Sequence, residues 1–149
     1  MKYFGDKSEY HSERSRDLLD AYFRYLKTCT HVSRTETFKG VAQMPATRFW
    51  VSKNRAAVVV ARIMRGDKLR HMRPNKREMF FEIHRRVMAL SRVRPAWSIR
   101  RLVETVIAQP APKFYLSPGS ARAIILKAKK QWFAEKSKRL RDCSSRYSL

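Results

Sequence analysis

Pro45-Ala46-Thr47-Arg48-Phe49-Trp50-Val51-Ser52 and Pro110-Ala111-Pro112-Lys113-Phe114-Tyr115-Leu116-Ser117 are one pattern written twice, 65 residues apart. Each copy has Pro and Ala, then a base, Phe, a second aromatic, an aliphatic residue and Ser. Aromatic and β-branched residues in a short run suit an extended segment better than a helix. The closing Ser suits a helix N-cap. Carried outward, the same shift lays residues 33–62 over 98–127 with seven of thirty positions identical. Average residue usage gives roughly two by chance. The agreement includes Ser33 with Ser98 and Ser52 with Ser117, positions where helices start, so the repeat is architectural.

Helical periodicity fills the space around the two strings. Asp6-Lys7-Ser8-Glu9 reads as a capping box opening a helix to about Thr28, with Leu18, Leu19, Tyr22, Phe23, Tyr25 and Leu26 as its apolar face. A second box, Ser33-Arg34-Thr35-Glu36, opens a short helix carrying Phe38, Val41 and Ala42, which Pro45 ends. Ser52 caps a helix with Ala56, Val59, Val60 and Ile63, and Gly66 is its C′ residue. Asn75-Lys76-Arg77-Glu78 is a third box, before a stripe of Phe80, Ile83, Val87 and Leu90. Ser98 caps a helix with Ile99, Leu102, Val103, Val106 and Ile107. Ser117-Pro118 opens the last helix, which reaches about Arg139. The expected fold is mainly α, with two related halves of order helix, helix, short strand, helix (about 6–66 and 75–139). The two strings can pair as a small antiparallel ribbon, each supplying the backbone partners the other lacks. Residues 1–140 form a single domain, and 141–149, without periodicity, a frayed tail.

Composition limits the function classes. The chain of 149 residues, 44% hydrophobic, can bury a core without disulfides or metal. Its longest strictly apolar run is Ala56 to Ala61, too short to span a membrane, and no secretory signal opens it. Two Cys, 29 and 143, make no disulfide framework, which fits a cytoplasmic setting. Thirty-four Lys and Arg against twelve Asp and Glu leave +22, far beyond the ~2–8 that solubility asks of a small domain. Residues 1–36 contribute only +1 of this and residues 37–149 contribute +21. Twenty-one of the bases are Arg, whose planar fork matches phosphate oxygens. The expected partner is therefore polyanionic: nucleic acid, DNA rather than RNA, with an acidic protein surface as the alternative.

The candidate nucleic-acid contacts are Arg65, Lys68, Arg70, Arg73, Lys76 and Arg77, together with Arg100 and Arg101 at the next helix boundary, near Arg92 and Arg94. Arg122, Lys127, Lys129 and Lys130 accompany the last helix. The aromatic strings could stack on unpaired bases, but burial is the better account of a short half-buried segment, and Trp97 and Trp132 read as packing residues too. The gaps before Ser52 and Ser117 are too long for a standard helix–turn–helix. Cys29-Thr30-His31 is half a metal site without a second pair, and His71 and His84 complete none. The four Gly are scattered, so there is no phosphate loop. Glu78 and Glu82 each have a base within helical reach, which points to surface pairing. No catalytic residue, metal or cofactor is expected, so the chain reads as a non-enzymatic binding protein, or else as a structural or assembly component.

Met72-Arg73-Pro74-Asn75-Lys76-Arg77-Glu78-Met79-Phe80-Phe81-Glu82, together with Arg48-Phe49-Trp50-Val51-Ser52, resembles small basic proteins carried by mobile elements and prophages of gut Bacteroidetes bacteria. The resemblance covers most of the chain. It implies a bacterial or phage setting, where DNA is the usual polyanion, and transfers no functional residue.

Overall fold

A computed structural model describes residues 10–30 and 33–147. Six helices occur among the described residues: α1 (His11–Thr28), α2 (Arg34–Ala42), α3 (Lys53–Met64), α4 (Pro74–Val93), α5 (Ile99–Ile107) and α6 (Pro118–Tyr147). The fold is mainly α. Shifted by 65, α2 falls on α5 residue for residue, α1 and α4 end together, and α3 and α6 start together.

The halves meet at one backbone exchange. Ala46 N–H donates to the Ala111 carbonyl at 3.0 Å, and Ala111 N–H returns the bond to Ala46 at 3.0 Å. Phe49 N–H donates to Ile107 O at 3.0 Å, and its counterpart Phe114 N–H donates to Ala42 O at 3.2 Å. Every bond maps onto its partner under the same shift, which is the signature of a pseudo-twofold axis through the Ala46–Ala111 pair. The expected ribbon is thus cut to a single antiparallel bridge. Pro45, Pro110 and Pro112 have no N–H to extend it, and the Phe N–H groups are turned to helix ends instead. Both Ala are buried, as close backbone approach there demands.

Across this axis the halves trade helices. α1 packs on α2 and α6, while α4 packs on α5 and α3; α2 also packs on α6, and α5 on α3. α2 does not touch α3, nor α5 touch α6, so neither pair forms a helix–turn–helix. Each lobe is a three-helix unit whose third helix comes from the other half. One continuous core joins them, including Leu18, Val59, Phe80, Ile83, Val103, Ile107 and Ile125. Of the residues in the expected apolar stripes, Tyr22, Phe23, Tyr25, Leu26, Phe38, Ile63 and Leu90 are only half-buried, and Ile99 is 40% exposed.

Local signals explain the element starts. Ser52 Oγ accepts from Arg55 N–H at 3.2 Å, Ser98 Oγ from Arg101 N–H at 3.2 Å, and Ser117 Oγ from Ser120 N–H at 3.2 Å. Gly66 has φ +99°, the left-handed C′ conformation. Three expectations are corrected. The Ser33 box does not close, because Ser33 Oγ meets Thr35 Oγ1 at 3.3 Å rather than a helix N–H. The Asn75 box gives way to Pro74 at the first helical position, with Arg73 before it. Residues 141–147 are helical, not frayed, since α6 continues to Tyr147. The Asp6–Glu9 box lies outside the described residues.

The repeat is broken where chemistry differs. Asp17 is buried, and its Oδ2 accepts from Thr47 N–H (3.0 Å), Thr47 Oγ1 (2.9 Å) and Trp50 Nε1 (2.9 Å). Its counterpart Glu82 faces Pro112, which offers neither N–H nor hydroxyl. Glu82 turns to Arg85 and Arg86 instead, at 2.6 and 2.9 Å. Tyr115, the counterpart of Trp50, adopts φ 56°, so the second string is not fully extended as expected. We expect Asp17→Ala to lower the unfolding free energy by about 3 kcal/mol, because buried donors lose their acceptor. Glu82→Ala should cost about 1 kcal/mol or less. Urea unfolding of the two variants checks this, and equal losses would contradict it.

Candidate nucleic-acid interface

The turn between α3 and α4 is built to display bases. Asp67 accepts from Leu69 N–H at 2.8 Å and pairs with Arg62 at 2.8 Å. The Leu69 hydrogen bond, supported by Arg62, holds its carboxyl below the usual range despite some desolvation. Leu69 is buried at φ 53°, a left-handed conformation costly for a side chain with a Cβ, and it pins the turn to the core. Arg65, Lys68, Arg70, Arg73 and Lys76 are left exposed around it, and Arg77 half-buried. Among the described residues none of the six has an ion-pair partner.

A second group gathers where α4 hands over to α5. The Arg101 guanidinium lies 4.0 Å from the Trp97 ring centre and that of Arg94 5.5 Å from it. Arg100 donates to Asn54 Oδ1 at 2.5 Å and reaches Glu104 at 3.9 Å, which ties the start of α5 to the start of α3. Lys53 and Arg55, which flank Asn54 in the sequence, are both exposed. Neither Lys53 nor Arg55 stood out in the sequence, although a first turn with bases and no acid is readable there.

The candidate bases outside α6 form two groups. Arg65–Arg77 sit at the C-terminal end of α3, and Arg100 and Arg101 beside its N-terminal end. Twelve residues of helix separate the ends by about 18 Å. The remaining candidates lie on α6 in the other lobe. Arg122, Lys127 and Lys130 are exposed, and half-buried Lys129 lies 5.4 Å over the Tyr22 ring. Under the 65-residue shift Lys127 and Lys130 are the counterparts of Arg62 and Arg65, so each lobe carries bases at the same helical positions.

The aromatic strings are mostly core, as expected. Phe49, Phe114 and Tyr115 are buried and Trp50 is half-buried. Phe49 stacks on Tyr115 with ring centres 6.1 Å apart. The string bases cover the second aromatics: Arg48 over Trp50 at 5.1 Å and Lys113 over Tyr115 at 5.5 Å. Trp97 is half-buried as packing requires, whereas Trp132 is 40% exposed and meets Phe23 and Phe133 at the surface.

A groove of about 630 Å³ opens beside Tyr115, but its cations are already matched. Lys113 pairs with Glu78 at 2.6 Å, and Glu82 with Arg85 and Arg86. The Arg85 hydrogen bond, then Arg86, holds the Glu82 carboxyl below its usual range against partial desolvation. Among the described residues no three or more His, Cys, Asp or Glu gather as a metal site, and no helix is long and apolar enough to cross a membrane. Comparison with family models, curated proteins and solved structures finds no match to the chain.

Burial, reinforced by the charges of Glu82 and Glu78, pushes the Tyr115 hydroxyl up to about 12. A raised folded-state value means that its contribution is complete below the ordinary value near 10 and is lost as pH rises through 12. Ultraviolet titration should show one of the six tyrosines ionising near 12, and Tyr115→Phe should remove that step. An unchanged curve for the variant would contradict the assignment.

Proposed function

We propose that the protein binds nucleic acid, duplex DNA before RNA, and acts by binding rather than catalysis, in the cytoplasm of a bacterium that hosts a phage or mobile element. The observation that carries this reading is where bases stand in a helix's first turn without an acid beside them in that turn. The first turns of α3, α4, α5 and α6 contain no acid, and those of α3, α4 and α5 contain Lys53 and Arg55, Lys76 and Arg77, and Arg100 and Arg101. The positive end of a helix dipole favours anions, so a cation there forgoes roughly 0.3–1 kcal/mol and is usually selected against. Three successive helices that accept this cost set positive fields at both ends of α3, those of α3 and α5 at one end and that of α4 at the other, and a phosphate backbone offsets them. α1 and α2, which begin with Glu13 and Glu36 in their first turns, follow the ordinary rule.

Arg94 and Arg101 support the same reading. Stacked on Trp97 and without a carboxylate partner, each guanidinium is held in place with donors to spare for phosphate oxygens. The two base groups about 18 Å apart suit contacts to phosphates on either side of a duplex groove.

Binding should weaken linearly in log salt, with a slope near −0.9 per phosphate neutralised on duplex DNA and near −0.7 on a single strand. Arg70→Ala with Arg73→Ala and Arg77→Ala should shrink the slope by about one for each phosphate that is no longer neutralised. Arg55→Ala with Arg94→Ala and Arg101→Ala should do the same independently. Melting temperatures should barely move. Fluorescence anisotropy on a random duplex and a random single strand, from low to physiological salt, provides the measurement. Wild-type slopes in both triple variants, or no binding to either ligand at low salt, would overturn the reading.

A further inference from the structure

We infer that the outward face of α6 is a docking seam for an acidic amphipathic helix of another protein. The pseudo-twofold axis shows how much of α6 the fold itself uses. Its counterpart α3 ends at Met64, which corresponds to residue 129, and every side chain described from Lys130 onward in α6 is exposed. Leu126, Phe133 and Leu140 stand seven residues apart on this helix and are 45%, 50% and 62% exposed. Seven residues is close to two turns, so the three form one stripe along the helix, with Lys130 and Ser137 between them.

A coiled-coil seam has two core positions per heptad; here one is apolar and the other is Lys130 or Ser137, which leaves a half-apolar seam narrow enough for one partner helix. It is too narrow for a helix lying in a membrane surface, which needs a broad apolar face. The flanks select the partner. Arg122, Lys127, Lys129, Lys136 and Arg141 border the stripe, while the acids Glu135 and Asp142 lie about 200° round the helix, on the far side. Lys129 and Lys136 are held by the Tyr22 and Trp132 rings, at 5.4 and 5.0 Å. A second copy of this chain would set these cations against themselves, under a net charge of +22. Glutamates at the flanking positions of a partner helix would meet them with opposite charge. Three exposed apolar side chains would gain nothing against a phosphate backbone, so the seam takes Arg122, Lys127, Lys129 and Lys130 out of the nucleic-acid candidates and leaves that role to the bases around α3, α4 and α5.

The test uses the full chain and a fluorescent synthetic peptide of about three heptads, with Leu at both core positions and Glu at the flanks. A peptide of the same composition in scrambled order is the control. The heptad peptide should bind at least about tenfold more tightly than the scrambled one. Phe133→Ser with Leu140→Ser should remove that preference while leaving circular dichroism, melting and duplex binding unchanged. Equal affinity for both peptides, or a preference that survives the double variant, would overturn the inference by reducing it to charge attraction. A dimer of the protein alone that the double variant dissolves would give the seam to a second copy. A loss of duplex affinity in the double variant would give it to nucleic acid. Either result also overturns the inference.

Discussion

The reciprocal hydrogen bonds between Ala46 and Ala111 are the constraint on which the rest of the molecule depends. They fix the pseudo-twofold axis, and the axis decides which helices can meet. Because each string leaves the bridge toward the opposite lobe, α3 and α6 are delivered across the axis rather than back onto their own halves. The small Ala, the flanking Pro residues and the buried Phe of each string all serve that crossing. Phe49 N–H and Phe114 N–H then tie each string to the last turn of the other half's second helix. A larger residue at the bridge would push the two backbones apart, and the lobes would lose their register together.

Electrostatics work against this framework rather than for it. Only five ion pairs occur among the described residues, and most of the bases take part in none. Apolar burial and the backbone exchange hold the fold, while self-repulsion loosens it. A polyanion would reverse that balance, because binding to the folded state alone adds to its stability. The same excess charge divides the chain after α2, not between its two halves. α1 and α2 keep ordinary acidic first turns, while the chain from α3 onward carries the positive field.

Much of the fold was legible because the repeat is written in residues with strong local meaning. Ser52, Ser98 and Ser117 are caps in the sequence and in space, and Gly66 ends its helix as a C′ glycine should. The exchange of helices was not legible. Val59, Val60 and Ile63 form a stripe that would fit α1 as well as α4, and periodicity names a face without naming its neighbour. Pro74 displaced the Asn75 cap because its fixed φ already suits the first helical position. Residues 141–147 looked frayed because Arg141-Asp142-Cys143-Ser144-Ser145-Arg146-Tyr147 shows no apolar periodicity of its own to announce a helix. For the site, charge and residue type could be read directly. Its division could not, because the separation of Arg65–Arg77 from Arg100 and Arg101 depends on the packing of α3 against α4 and α5. Lys53 and Arg55 became visible only through the Arg100–Asn54 hydrogen bond.

The crossing of helices also sets a timetable for synthesis. α1 and α2 leave the ribosome before the other helices described, but the helix that completes their lobe begins at Pro118, after α3, α4 and α5. At about 5–20 residues per second the first lobe waits several seconds with Leu18, Leu19 and Val41 uncovered. The second lobe is not held back in this way, since α3 has already emerged when α4 and α5 arrive. The lobe of α3, α4 and α5 is therefore able to fold first, and the lobe begun by α1 and α2 needs protection until α6 emerges. A nascent chain that stalls before α6 would present an unclosed apolar surface to the cell's quality-control machinery, however well its other helices are formed.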